Sequence, residues 1–244
     1  MRKIIALAAV FFAVAYGQQK GSFTDKRDGK TYATVKIGNQ TWMAENLDFD
    51  EGVRSWCDPV KPNDPKKCKY GRWYDWATAM GVDTSFNYKK WGKGDVNQKG
   101  LCPDGWHIPN NSEWQTLVNT VGDNAGKKLK TKNWTSGEIA ELKHGLEIGK
   151  KSISPMEKLV IEQAIFNLQQ LEGIDNYNFS VLPGGIGVKD EITGIGESAK
   201  FWISTEEGSS TGALIDFINI MRSSNDIELA TTMKTNKLTI RCVK

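Results

Sequence analysis

Histidine is scarce in this sequence, and its scarcity narrows the chemistry that the chain can perform. Two histidines, His107 and His144, and four cysteines stand among the 244 residues. The His-Glu-x-x-His motif of zinc proteases is missing, and so is any Cys-x2-Cys pair of the kind found in structural zinc sites. Two histidines also leave little room for a Ser/His or Cys/His nucleophile. We therefore expect no cofactor, no intrinsic metal catalysis and a protein that is not an enzyme.

A large charge excess of either sign is missing as well. The sequence has 32 basic and 29 acidic residues, which gives a formal net charge of +3. Two of the basic residues, Arg2 and Lys3, precede the mature start predicted below, so the mature chain is nearly neutral. Because nucleic-acid binding depends on a strongly basic surface, we expect no nucleic-acid partner.

Long apolar runs are missing except at the start of the chain. Residues 4–14 are apolar, follow Arg2 and Lys3, and lead to the small-x-small pattern Ala15-Tyr16-Gly17. This run is too short to span a bilayer and has the pattern of a secretory signal peptide. The sequence predicts a signal peptide over residues 1–17 and a single mature domain over 18–244 without a transmembrane segment. The expected location is secreted, periplasmic or outer-surface associated.

Four cysteines in an exported chain predict two disulfides, for which three pairings are possible. Cys57 and Cys68 flank a polar loop with three prolines, which a local bridge would order. Cys102 then pairs with Cys242, which ties the centre of the chain to its last predicted strand. A zinc site is the alternative, but the spacing of the possible ligands disfavours it.

A hairpin and two helices are predicted in the first half of the chain. β-rich residues on either side of a Gly-Asn pair predict a hairpin over residues 32–43. Aromatic and apolar residues at helical spacing predict a first helix over residues 70–80. A second core helix is predicted to begin after Asn110, which has the capping-box pattern with Glu113, and to end at Gly122.

One helix and then several strands are predicted in the second half. Ser154, Pro155 and Glu157 together mark a helix start. The apolar stripe predicted to dock this helix consists of Met156, Leu159, Val160, Ala164, Leu168 and Leu171. Antiparallel strands are predicted over residues 201–205, 213–218 and 237–243, with loops over 191–198, 206–212 and 221–235. A hairpin, two core helices and C-terminal antiparallel strands form an α+β plan.

A series of short motifs runs from Phe23 to the last residue. They include Val35-Lys36-Ile37-Gly38-Asn39-Gln40-Thr41-Trp42-Met43-Ala44-Glu45-Asn46-Leu47, Cys102-Pro103-x-Gly105-Trp106-His107-Ile108-Pro109, Phe179-Ser180-x-Leu182-Pro183-Gly184-Gly185 and Arg241-Cys242-Val243-Lys244. In this order they resemble the Fibrobacter succinogenes major paralogous (FISUMP) domain family. The resemblance implies a C-type-lectin-like fold, which is shared with formylglycine-generating-enzyme-like domains.

The same resemblance shows where this chain departs from related proteins. The region around residues 137–173 is longer than in the family, so we interpret it as a helical insertion. The calcium site of true C-type lectins needs a Glu-Pro-Asn or Gln-Pro-Asp triplet and a Trp-Asn-Asp, and the sequence contains neither pattern. A copper oxidase of the formylglycine type would need two free cysteines, whereas all four are assigned to disulfides here.

These observations predict a secreted or cell-surface, non-catalytic binding domain for polysaccharide or another surface ligand. The expected partner is thus a polysaccharide or a cell-surface protein. The aromatics of the polar segment 84–100 have no helical or strand period, so they are the predicted contact residues. The candidate ligand-binding residues are Phe86, Asn87, Tyr88, Trp91, Asp95 and Asn97. The alternative is a secreted enzyme that acts on carbohydrate or protein side chains, with Glu206 and Glu207 as its first candidate carboxylates.

Export is predicted to remove the first 17 residues. Intact-mass measurement of the exported protein should give a chain that starts near Gln18, because signal peptidase cleaves after small residues. Replacing Gly17 by Leu should prevent this cleavage and serves as the control. An exported wild-type protein that retains Met1 would contradict the prediction and favour an uncleaved anchor.

Overall fold

The computed structural model describes residues 19–57, 68–93, 97–132, 134–149, 152–206 and 212–244. The predicted signal peptide lies outside these residues. Within them, helices and three antiparallel sheets confirm the α+β class. In this part of the chain, no helix has the length and apolar character needed to cross a membrane.

The N-terminal sheet consists of three antiparallel strands in chain order. They are β1 (Gln19–Thr24), β2 (Thr31–Ile37) and β3 (Gln40–Met43). Ile37 pairs with Gln40, and Gly38 between them has a positive φ of 58°, so the predicted hairpin is confirmed. The sequence did not predict β1, because most of its residues are exposed and no apolar alternation marks it.

Three helices precede the proposed insertion. They are α1 (Trp76–Met80), α2 (Asn111–Val121) and α3 (Ala125–Leu129). The predicted capping box of α2 is present, and Trp114, Leu117 and Val121 face the core. The prediction of a helix over residues 70–80 was wrong in its first half. Asp75 is the N-cap residue of α1, and its side chain accepts the Thr78 N–H, so the helix begins only at Trp76.

The region 137–173 holds two helices where the sequence predicted one. They are α4 (Ser136–Ile148) and α5 (Pro155–Leu171), and the predicted capping box of Ser154 and Glu157 is present. The predicted docking stripe was wrong at its start, because Met156, Leu159 and Val160 are exposed. Apolar residues occur on more than one side of α5, and the helix buries Ile165 instead. Periodicity alone therefore did not select the docked face.

The C-terminal half contributes a two-stranded and a three-stranded antiparallel sheet. The strands are β4 (Ile186–Val188) with β5 (Glu191–Thr193), and β6 (Ser198–Trp202), β7 (Leu214–Met221) and β8 (Glu228–Met233). The strands β5 and β8 lie where loops were predicted. They are largely exposed, so they lack the buried alternation that marks a strand in a sequence.

The prediction of a last sheet strand over residues 237–243 was wrong. This closing segment (residues 237–244) makes isolated bridges to several elements instead of joining one sheet. It contacts Tyr74 through Leu238, Phe201 through Thr239, and both Trp42 and His107 through Val243. Leu238, Ile240, Cys242 and Val243 are buried. A segment that passes through the middle of the core has strand-like composition for this reason.

Most tryptophans lie in the core. Trp42, Trp73, Trp76, Trp114 and Trp202 are essentially fully buried, and Trp106 and Trp134 are 4% exposed. Trp42 packs at 4.8 Å between ring centroids against Trp114, which contacts Phe201 at 5.4 Å. These rings join β3, α2 and β6 into one apolar cluster. A second cluster surrounds α1 and the closing segment.

Both predicted disulfides are present. Cys57 and Cys68 are bonded with a Cα–Cα distance of 5.4 Å, and Cys102 and Cys242 with 5.9 Å. The second bond joins residues 140 apart and fixes the closing segment to the turn before α2.

Loss of the two disulfides should have unequal effects. The chain-entropy model gives about 5 kcal/mol for the long loop that Cys102–Cys242 closes and about 3 kcal/mol for the short one. The double variant Cys102→Ala/Cys242→Ala should therefore unfold at much lower urea concentration than Cys57→Ala/Cys68→Ala. Equal midpoints, or a larger loss in the second variant, would contradict this order.

Candidate functional site

The first ten residues of the polar segment with the predicted contact residues form an ordered loop. We call residues 84–93 the aromatic loop. It begins with a 3-10 turn over Thr84–Asn87, where the Asp83 side chain accepts the Ser85 N–H. Asn87 is buried and its side-chain oxygen accepts the Ala77 N–H, so this residue fixes the loop to α1. Its amide oxygen is therefore occupied within the protein.

The three predicted aromatics differ in exposure. Tyr88 is 71% exposed, whereas Phe86 and Trp91 are partly buried against the core cluster around α1. Trp91 lies edge-on to Trp76 with 6.1 Å between ring centroids. The Nζ atom of Lys89 lies 4.7 Å from the centroid of Phe86, and that of Lys93 lies 5.4 Å from the centroid of Trp91. Tyr88 thus presents a more accessible ring than its two neighbours.

The two remaining predicted contact residues are not part of the aromatic loop. Asn97 is exposed and follows the loop, and Asp95 lies outside the described residues. The structure therefore brings Phe86, Tyr88 and Trp91 together in one loop and uses Asn87 for internal bonding.

A buried ion pair fixes the backbone of the aromatic loop. The Glu206 carboxylate accepts the Trp91 N–H at 2.9 Å and the Gly92 N–H at 2.7 Å. The same carboxylate pairs with Nζ of Lys234, which is fully buried. Lys234 also donates to the carbonyls of Phe86 at 3.2 Å and Lys89 at 3.3 Å. One cation and one anion therefore bind both ends of the loop.

The hydrogen bonds of Glu206 argue against its role as a catalytic acid. Burial raises its pKa, but the bonds from Lys234 and from the Trp91 and Gly92 N–H groups outweigh burial and hold the pKa below its usual value. A general acid in a glycosidase needs a raised pKa instead. Its proposed companion, Glu207, lies outside the described residues.

Other catalytic patterns also fit poorly. Residues 208–212 have the Gly-x-Ser-x-Gly spacing, but the strand β7 follows them, whereas the nucleophile elbow requires a helix there. Nε2 of His107 lies 2.6 Å from the carboxylate of Glu113, which belongs to the capping box of α2, and His144 is exposed on α4. Among the residues described, no group of three or more His, Cys, Asp or Glu is placed to hold a metal.

A cleft that the sequence did not reveal borders the N-terminal sheet. It has a volume of about 590 Å³ and lies between β1, β2 and the segments 44–48, 68–71 and 178–182. Its lining combines parts of the chain that are far apart in sequence. No local sequence motif could therefore predict the cleft.

The floor of the cleft contains the buried guanidinium of Arg241. It donates to Asn46 Oδ1 from Nε at 2.9 Å, and to the Met43 and Phe179 carbonyls at 3.3 and 2.5 Å. Among the described residues, its hydrogen-bond acceptors are all neutral. Burial lowers the pKa of Arg241 to about 9, so the group stays charged at neutral pH.

The fold and its two disulfides define the class of protein, a disulfide-linked α+β domain. Residues 35–244 match the family described as the Fibrobacter succinogenes major domain. The chain belongs to this family, and the resemblance in its motifs is confirmed. No curated protein and no solved structure matches the chain. The family description names no activity, so function has to be argued from the sites.

The ion pair beneath the aromatic loop should make stability depend on acid pH. The pKa of Glu206 is lower in the folded than in the unfolded state, so its contribution is complete above its usual pKa of 4.5 and is lost as pH falls below it. Replacing Glu206 by Gln leaves Lys234 buried without its anion, which should cost about 3–5 kcal/mol at pH 7.

The difference between wild type and Glu206→Gln should therefore shrink as pH falls from 7 towards 3. Urea midpoints at several pH values measure it, and Glu147→Gln, an exposed change on α4, is the matched control. A constant difference across this range would show that the ionised carboxylate of Glu206 does not stabilise the folded protein.

Proposed function

We propose that this protein is an exported, non-catalytic binding domain whose aromatic loop contacts polysaccharide or another cell-surface ligand. The observation that carries the proposal is the exposed ring of Tyr88 on a loop that a buried ion pair fixes. A planar ring loses little conformational entropy on binding. A loop that is already ordered in the free protein loses little further entropy when the ligand binds.

The energetics of the ion pair support a positioning role for it. Burying two charges costs several kcal/mol per ion, and an apolar pair of similar size is often as stable. In this structure the two side chains form hydrogen bonds with the backbone of the aromatic loop, at Phe86, Lys89, Trp91 and Gly92. Such bonds hold a surface loop in one conformation, as a binding surface requires.

The proposal includes the finer parts of the sequence-based interpretation. The signal peptide over residues 1–17 delivers the domain outside the cytoplasm, and the two disulfides are typical of that environment. The α+β core has the C-type-lectin-like fold that the motifs imply, with residues 137–173 as an insertion. The cleavage assay tests the signal peptide independently of binding.

Replacing Tyr88 by Ala should weaken binding to the polysaccharide that the wild type retains. We expect a 5- to 30-fold loss, which corresponds to about 1–2 kcal/mol for an exposed contact ring. Pull-down on a panel of insoluble polysaccharides selects the ligand, and depletion isotherms give the affinities. Tyr88 is preferred over Trp91 because Trp91 also packs on Trp76 and its removal would disturb the core.

The matched control is Phe166→Ala, which removes a 55% exposed ring from α5. Both variants should melt within a few degrees of the wild type, because exposed substitutions usually change stability by about 0.5 kcal/mol or less. Equal binding by Tyr88→Ala and wild type would contradict the proposal that the aromatic loop is the contact surface. Release of reducing sugar from the same samples would instead favour the alternative, a secreted carbohydrate-active enzyme.

A further inference from the structure

The cleft beside the N-terminal sheet has the dimensions of a ligand site. Its volume of about 590 Å³ lies within the roughly 300–1,000 Å³ that small-molecule sites occupy. The lining comes from a sheet, the segment 44–48 that continues from it, and the segment 68–71, which Cys68 anchors through its disulfide. These walls are held by backbone pairing and a covalent bond, so the cleft is preformed.

Cations outnumber anions around the cleft. Its cationic residues are Lys20, Lys30, Lys69 and Arg241, and its anionic residues are Glu45 and Asp48. Both anions already serve the protein. Asp48 pairs with Lys30 at 3.1 Å and lies 3.3 Å from Nε of Arg72, and Glu45 accepts the Ala33 N–H at 2.8 Å. The cleft therefore carries a net positive charge.

The buried guanidinium on the floor strengthens this preference for an anion. Arg241 is 1% exposed, and its acceptors among the described residues are neutral oxygens. A buried charge whose neighbours only partly compensate it acts over a longer distance than a solvated one, because little water screens it. The carboxylates of Glu45 and Asp175 compensate part of this charge, and an anion above the floor would add to that compensation.

Small polar groups complete the lining. Asn178 and Ser180 both adopt left-handed backbone conformations, with φ of 52° and 57°. The Asp175 carboxylate accepts the Ser180 N–H at 3.0 Å and its hydroxyl at 2.8 Å, which holds this turn in place. Non-glycine residues held in such conformations are concentrated at functional sites. Amide and hydroxyl groups at a rim are suited to the hydroxyls of a sugar.

We propose that this cleft is a second binding site, which takes the carboxylate of an acidic sugar residue such as a uronic acid. Lys20 and Lys69 at the rim contact the carboxylate, and the buried charge of Arg241 attracts it electrostatically. Asn178 and Ser180 face the hydroxyls of the sugar. The site is separate from the aromatic loop, so the proposal goes beyond the function proposed above.

Isothermal titration of the full mature protein with glucuronate, glucose and acetate tests this assignment. Glucuronate should bind at least tenfold more tightly than glucose, which has the same ring without the charge, and than acetate, which has the charge without the ring. The affinity for glucuronate should fall as salt rises. Equal binding of glucose would overturn the anion preference, and equal binding of acetate would overturn the assignment to a sugar.

Variants locate the site. Lys20→Gln/Lys69→Gln should weaken glucuronate binding at least tenfold, whereas Lys158→Gln, an exposed change on α5, should leave it unchanged. Tyr88→Ala should also leave it unchanged. If the double variant binds glucuronate as the wild type does, the cleft is not the site.

These outcomes separate the two proposals. Binding of glucuronate without retention on any polysaccharide would leave the cleft assignment standing and remove the proposed function. Polysaccharide binding that depends on Tyr88, without any binding of glucuronate, would do the reverse.

Discussion

Donation of hydrogen bonds from buried cations to backbone carbonyls is the interaction on which the irregular parts of this fold depend. Lys130 donates to the carbonyls of Met221, Arg222 and Ser224 at 3.1, 3.1 and 2.9 Å. Lys234 does the same for the aromatic loop, and Arg241 for the floor of the cleft. Buried carbonyls outside helices and sheets need donors, and a long cation can serve several at once.

Such cations are costly, which explains why they are combined with other constraints. Burial lowers the pKa of Lys130 to about 8 and that of Arg241 to about 9, which reflects the penalty of desolvating a charge. Arg241 precedes Cys242, whose disulfide fixes the closing segment, and the faces of Phe179 and Phe201 lie 4.9 and 5.5 Å from its guanidinium carbon. Covalent and cation–π contacts thus compensate part of the cost.

Local signals explain most of what the sequence predicted correctly. The capping boxes of α2 and α5 and the hairpin between β2 and β3 each depend on residues within a few positions of one another. Elements without such signals were missed or misplaced. The strand β8 is mostly exposed, and the stripe of α5 was wrong at its start. The closing segment resembles a strand because its alternating residues Leu238, Ile240 and Cys242 are buried.

The sites could be predicted only in part, for the same reason. The aromatic loop stands out in the sequence because its rings lack a period, yet its support comes from Glu206 and Lys234, more than one hundred residues away. A lysine in a sequence is ordinarily assigned to solvent, so neither Lys234 nor the floor of the cleft could be anticipated. Both proposed binding surfaces depend on cations from the last stretch of the chain, at 234 and 241. The shape of either surface therefore depends on the correct packing of that stretch. The Cys102–Cys242 bond, which closes the longer loop, couples the cleft to the core through the residue next to Arg241.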